Sequence, residues 1–253
     1  MDLYWLIPAF FAIALLYASA GFGGGSSYLA LLALSGLPTA AMRPIALVCN
    51  LMVTGGSTFS FARAGVTPWR RAIPLVVASM PAAFLGGRVQ LPRQEYLLLL
   101  GGLLLLAGLL MLIGKSSSVT DEKKAGRRGA GMIAVTIGVI VGFISGVVGI
   151  GGGIFLSPIL FLSRWADARA IAATTSLFIA LNSLAGLAGQ LSVGVEWHFG
   201  LTAILMLAVA AGGWLGTRLT LQRFAPSTIR NVAAILILLV GVRLVWSNWL
   251  MQL

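Results

Sequence analysis

The chain has 253 residues, 59% of them hydrophobic and 9% charged, with a mean hydropathy of +1.00. An ordinary soluble domain carries about 25% charged residues, and a spanning helix needs about 20 apolar ones, so the composition excludes a soluble domain and leaves room for roughly eight to ten spans. The net charge of +11, from 17 basic and 6 acidic side chains, points in so apolar a chain to basic cytoplasmic loops rather than to nucleic acid.

The apolar segments run over 3–20, 26–37, 42–62, 68–87 and 95–114, then 130–148, 154–163, 168–190, 198–219 and 227–248. The opening Met1-Asp2-Leu3-Tyr4-Trp5 has no basic n-region and no small-residue cleavage pattern, so it reads as the start of the first span rather than a signal peptide. Residues 115–129 form the one long hydrophilic stretch, rich in Lys, Arg and Ser. They divide the chain into an N-terminal repeat, 1–114, and a C-terminal repeat, 130–253.

The two parts echo each other. Gly21-Phe-Gly-Gly-Gly25 returns as Gly149-Ile-Gly-Gly-Gly153. Leu85-Gly86-Gly87-Arg88 resembles Leu215-Gly216-Thr217-Arg218, Pro92 has Pro226 as counterpart, and Gly108 and Gly241 sit alike. The reading is an all-α integral membrane protein of two repeats, each of five helical segments and each with a Gly-rich broken helix or hairpin.

Charge chooses between the two. If each Gly run interrupts a single span, the repeats are parallel and the basic residues divide almost evenly between the faces. If each run is a hairpin tip, the second repeat is inverted. Arg63, Arg70, Arg71, Lys115, Lys123, Lys124, Arg127, Arg128, Arg164, Arg169, Arg218, Arg223 and Arg230 then share one face, leaving Arg43, Arg88, Arg93 and Arg243 on the other. The positive-inside rule selects this inverted arrangement, with the linker cytoplasmic and both termini outside. Trp5, Trp69, Trp165, Trp197, Trp246 and Trp249 fall at segment ends, where indoles favour the headgroup zone.

Three glycines in a row disfavour a regular helix, since each costs about 1 kcal/mol against Ala. In hydrocarbon, such backbone is tolerated only inside protein or beside water. A Gly-rich break at the mouth of a short helix leaves N–H groups free at a positive dipole end, which suits an anion. In an inverted repeat, two such tips approach the middle from opposite faces. The other reading is close helix packing through small residues. The candidate substrate-binding residues are Gly21, Gly23, Gly24 and Gly25 with Ser26 and Ser27, and Gly149, Gly151, Gly152 and Gly153. Asn50 and the run Thr174, Thr175 and Ser176 join them, because the repeat sets Asn50 opposite Ser176. Ser57 and Ser183 are likewise equivalent. For these polar residues, interhelical hydrogen bonding is the competing role.

No carboxylate lies at a segment centre, so a proton relay of intramembrane acids has no obvious candidate. Arg43, Arg88 and Arg218 lie near segment ends, where guiding an anion inward is one role and snorkelling to the headgroups the expected one. Cys49 is the sole cysteine and His198 the sole histidine, which excludes an internal disulfide and leaves no cluster for a structural metal. No catalytic residue or cofactor is expected, since the one histidine sits at a boundary away from any Gly-x-Ser-Gly pattern.

The paired Gly-x-Gly-Gly-Gly runs, Pro158 after the second, and Ala173-Thr-Thr-Ser176 resemble the TauE/SafE family of membrane transporters. The first repeat departs from that pattern in having Ala30 opposite Pro158, Ser26-Ser27 after its Gly run, and Val48-Cys49-Asn50 opposite the Thr-Thr-Ser stretch. The resemblance implies transport of sulfite, sulfoacetate or related organosulfonates, mostly outward, across the inner membrane. The residues alone reach a small anion held by backbone and neutral donors, with the lipid bilayer as the other partner. A passive anion channel and a non-transport membrane scaffold subunit are the rival classes, and monomer or homo-oligomer is left open.

Overall fold

The computed structural model describes residues 3–19, 23–113, 130–163, 165–195, 197–220, 234–235 and 237–246. Within them the chain is helical throughout. The helices are α1 (Leu6–Ser19), α2 (Gly25–Leu34), α3 (Thr39–Arg63), α4 (Trp69–Arg88), α5 (Arg93–Ile113), α6 (Ala130–Val148), α7 (Gly153–Leu162), α8 (Ala168–Leu191), α9 (Phe199–Thr220) and α10 (Ile237–Trp246). Each expected segment has its helix. The linker 115–129 and Gly21 lie outside the described residues.

Local chemistry sets the boundaries. Asp167 caps α8, its carboxylate accepting the Ala170 N–H at 2.8 Å, which relieves one of the unpaired first-turn amides. α3 begins earlier than the apolar pattern predicts, at Thr39, because extended Pro38 (φ −59°, ψ 143°) supplies its N-cap. α2 and α7 are short for a different reason. Each is capped by a glycine in the left-handed region, Gly24 at φ 79° and Gly152 at φ 80°, a conformation that costs any other residue roughly 1–2 kcal/mol.

Among the described helices, four are long and apolar enough to cross a membrane, over Thr39–Arg63, Arg93–Leu110, Arg169–Leu191 and Phe199–Gly216. Large side chains stand exposed on their outer surfaces, among them Leu106, Leu109, Ile204, Leu207 and Trp214. A soluble protein would not leave so much apolar surface in water; a bilayer is the solvent it fits.

Glycine contacts reveal helix directions. A Cβ at Gly138 would meet the Leu75 carbonyl, at Gly142 that of Ser79 and at Gly146 that of Ala83, so α6 runs parallel to α4. In the same way Gly212 faces the Phe11 carbonyl and Gly216 that of Leu15, so α9 runs parallel to α1. Gly87 packs on Gly186, and Asn182 bonds Ser79, which makes α8 parallel to α4. α3 and α8 instead cross head to tail, with Asn50 against Ser183 and Leu47 against Gly186. α5 and α10 also oppose, since Gly101 meets Leu244 and Gly108 meets Leu238.

The broad interfaces therefore come in matched pairs: α4 with α6 and α1 with α9, then α4 with α8 and α3 with α9. The first helix of each half packs on the fourth helix of the other. α3 and α8, the third helices of the two halves, meet in the middle. This exchange puts the two glycine runs at the centre.

Candidate functional site

The two glycine turns touch. A Cβ on Gly25 would come 2.6 Å from the Ile150 carbonyl. Asn50 is wedged between them from α3. Its Nδ2 donates to Ile150 O at 2.9 Å and to Ser183 Oγ at 3.1 Å. Added Cβ atoms on Gly23 and Gly151 would both collide with its amide. The glycines here are the condition for that close approach, which is the packing role of the run.

No side chain caps α2 or α7. The first amides of a helix have no intrahelical partner, and here they open onto a junction of two helix N-termini. Three buried hydroxyls beside the turns have no hydrogen-bond partner either: Tyr28 Oη, Ser145 Oγ and Thr175 Oγ1. A Cβ built on Gly24 would lie 3.0 Å from the Tyr28 ring carbon Cζ and 3.1 Å from its Oη. Ser145 stands beside Gly152, its Cβ and Oγ 3.1 and 3.2 Å from a Cβ built there, while Thr175 turns its methyl Cγ2 to Gly153, 3.0 Å from a Cβ built there. A buried hydroxyl left unpaired costs about 1–3 kcal/mol, and these three belong to residues that flank the two turns.

The other expected residues divide by what their polar atoms do. Ser26, Ser27, Thr174 and Ser176 are all buried. Ser27 Oγ pairs with Tyr17 Oη at 2.8 Å. Thr174 Oγ1 donates back to Ala170 O at 2.8 Å, so it braces α8. Asn50 spends both amide hydrogens on protein and keeps only an unpartnered Oδ1. It holds the second turn in place. Gly149, at φ 87°, lies against Arg43, a Cβ there falling 3.2 Å from Arg43 Cβ.

Sequence reasoning missed Tyr17, Tyr28 and Ser145, which lie in apolar runs without any motif. It placed Arg43 at the headgroups, and the structure corrects this. Arg43 is 7% exposed. Nη1 donates to Val89 O at 2.9 Å, and Nη2 to Gly146 O at 3.0 Å and Gly87 O at 3.3 Å. The guanidinium stands 5.9 Å from the centre of the Tyr96 ring. Inward-facing carbonyls from α4 and α6 have replaced the headgroups as its acceptors.

Among the described residues, no Asp or Glu is buried, and Arg43 is the one buried side chain that carries charge. Nor do any three His, Cys, Asp or Glu side chains gather where they could hold a metal ion. His198 lines a separate surface groove of about 340 Å³ with Leu3, Leu37, Phe199, Gly200 and Leu201. Among the described residues the interior thus holds neutral polar side chains and one buried cation, with no buried carboxylate.

Residues 6–244 match the family model described as Sulfite exporter TauE/SafE. A probable membrane transporter protein, y4hK, of Sinorhizobium fredii is 36% identical over 254 residues, covering 95% of this chain and 97% of that relative. A probable membrane transporter protein of Xylella fastidiosa is 29% identical over 189 residues, 72% of this chain and 70% of its own. YunE of Bacillus subtilis, also a probable membrane transporter protein, is 28% identical over 120 residues, 46% of this chain and 42% of its own. No solved structure matches. The chain belongs to the TauE/SafE family and is a multi-pass membrane transporter protein.

Proposed function

We propose that this family member is a secondary transporter that exports a small sulfur-containing oxyanion across the inner membrane by alternating access. Sulfite, sulfoacetate or a related organosulfonate is the substrate. The observation that carries this reading is the meeting of two helix N-termini that no side chain caps, beside Tyr28, Ser145 and Thr175, whose hydroxyls are unpaired. Amide and hydroxyl donors match the three oxygens of a sulfite or sulfonate group, and helix dipoles favour its charge. The family description, a sulfite exporter, supports the substrate class.

The helix directions support an inverted repeat. With α3 opposed to α8, α5 opposed to α10, and α4 parallel to both α6 and α8, equivalent helices of the two halves point opposite ways. A single broken span per half would instead set α3 and α8 parallel. The topology proposed is a cytoplasmic linker at 115–129 with both termini outside. Alternating access then follows from one glycine-tip bundle moving against the other.

Purified full-length protein in proteoliposomes tests the function. Uptake of radiolabelled sulfite, sulfate, sulfoacetate and chloride is measured with and without an imposed pH gradient. Saturable sulfite or sulfoacetate uptake with counterflow exchange is expected. A non-saturating anion conductance identifies a channel, and no flux of any anion removes the transport reading in favour of a scaffold. For topology, Ser118→Cys in a Cys49→Ala background is labelled by a membrane-impermeant maleimide only after the cells are opened.

A further inference from the structure

We infer that Arg43 and Gln190 form a second anion-holding subsite, lying between the glycine turns and the membrane face opposite the linker. The inference rests on the transport reading above and extends it.

Arg43 is buried, with its Nη atoms on the carbonyls of Val89, Gly87 and Gly146, while its Nε has no partner. It faces no carboxylate among the described residues. A buried cation without a counter-charge is costly, and carbonyl dipoles offset only part of that cost. Gln190 of α8 is 3% exposed, and both its amide atoms are buried without partners.

Helix register brings the two together. α3 and α8 oppose, with Asn50 on Ser183 and Leu47 on Gly186; the next turn along sets Arg43 opposite Gln190. A second route leads to the same place. Gly189, the neighbour of Gln190, packs on Gly87, whose carbonyl Arg43 holds. Tyr96 closes the far side, its ring near the guanidinium and its hydroxyl donating to Val148 O at 2.7 Å. The register sets an unpaired guanidinium Nε–H and an unpaired carboxamide at one level of α3 and α8, and the N–H groups of both are donors to a negatively charged oxygen.

The position gives the subsite a task. Arg43 lies about 10 Å from Asn50 along α3, seven residues at 1.5 Å each, toward the ends where α3 begins and α4 and α8 finish. An anion leaving the glycine turns toward that face passes the guanidinium. Arg43 provides the full charge that the central junction lacks, and holds the anion for release.

Gln190→Glu tests this, because it gives Arg43 a permanent carboxylate partner in place of a transient one. The full chain, purified in detergent, is melted with and without sulfite, and the same protein is assayed for sulfite uptake. The variant is expected to melt at or above the wild-type temperature without anion. It should lose at least about tenfold in apparent sulfite affinity, because a fixed counter-ion now competes for the charge. Wild-type affinity and uptake in Gln190→Glu would overturn the subsite and leave the pair a purely structural brace. Should that variant not fold, Arg43→Lys decides: its melting temperature reports packing, and an unchanged uptake KM overturns the proposal. If no anion among sulfite, sulfoacetate, sulfate and chloride shifts the wild-type melting temperature or crosses the vesicle membrane, the transport reading itself fails and the subsite falls with it. If the wild type responds and Gln190→Glu responds equally, only the subsite fails.

Discussion

The two glycine turns share a left-handed N-cap glycine and differ in the residue before it, Gly151 having a φ of 81° and Gly23 no positive φ, and in what surrounds them. Gly24 and Gly152 cap α2 and α7 with nearly the same φ, 79° and 80°. Around the first turn, hydroxyls mostly satisfy one another, Tyr17 pairing with Ser27, and only Tyr28 is left over. Around the second, Ser145 and Thr175 are unpaired, Asn50 and Ser183 brace the loop, and Arg43 lies against Gly149. The asymmetry extends to the arginines. Arg43 is buried, whereas Arg169, its counterpart near the start of α8, is exposed. Similar glycine caps thus carry different side chains, with more unpaired hydroxyls around the second than around the first.

The strongest way to break the comparison is to remove what the turns share. Gly24→Leu with Gly152→Leu forces left-handed leucines, at about 1–2 kcal/mol each, and fills the junction. Sulfite uptake by proteoliposomes should fall to the level of empty vesicles while the protein still elutes as a folded species. Uptake near the wild-type rate would remove the junction as the site.

Asn50→Leu strikes the brace alone. It strips Ile150 O and Ser183 of their donor, and leaving buried groups unpaired costs about 1–3 kcal/mol. A lowered melting temperature and reduced uptake are expected together. A stable variant with normal uptake would show that the second turn holds its shape unaided.

The unpaired hydroxyls sharpen the contrast between the turns. Ser145→Ala combined with Thr175→Val should raise the KM for sulfite more than Tyr28→Phe does, since a hydrogen bond to a charged group is worth about 1.5–3 kcal/mol, or roughly ten- to a hundredfold each. Melting temperatures should hardly move, because these hydroxyls bond to no protein group. The reverse order of KM effects would transfer the main binding surface to the first turn.

The smallest effect is reserved for glycines outside the junction. Gly55 of α3 has open space at its Cβ position, so Gly55→Ala should stabilise the helix by up to about 1 kcal/mol and leave transport kinetics unchanged. A transport defect there would mean that α3 must bend at Gly55 during turnover.

Much of the architecture was legible because apolar segment length and glycine punctuation are properties of the chain itself. The ten segments correspond to the helices, and Gly24 and Gly152 lie where the breaks were expected. The central placement of Asn50 followed from the repeat alone. Arg43 was misread because its depth depends on partners distant in sequence. One turn into α3, nothing local distinguishes a side chain reaching for headgroups from one reaching for Gly87, Val89 and Gly146. Tyr28 and Ser145 were invisible for a related reason. An unpaired hydroxyl is defined by what its neighbours fail to offer, which no spacing encodes. Thr174 shows the converse: the motif pointed to it, yet its hydroxyl is consumed by its own helix at Ala170 O.

The exchange of helices between the halves bears on how the chain is made. Synthesis and insertion proceed from the N-terminus, so α4 meets α6 soon after leaving the ribosome. α1, the earliest helix, must wait for α9, almost the last, before the Gly212 and Gly216 seam can close on Phe11 and Leu15. A nascent chain halted in the linker holds an unmatched α1 and an unmatched α4. A lesion in α9 would therefore leave the first helix without its partner as surely as a lesion in α1 itself.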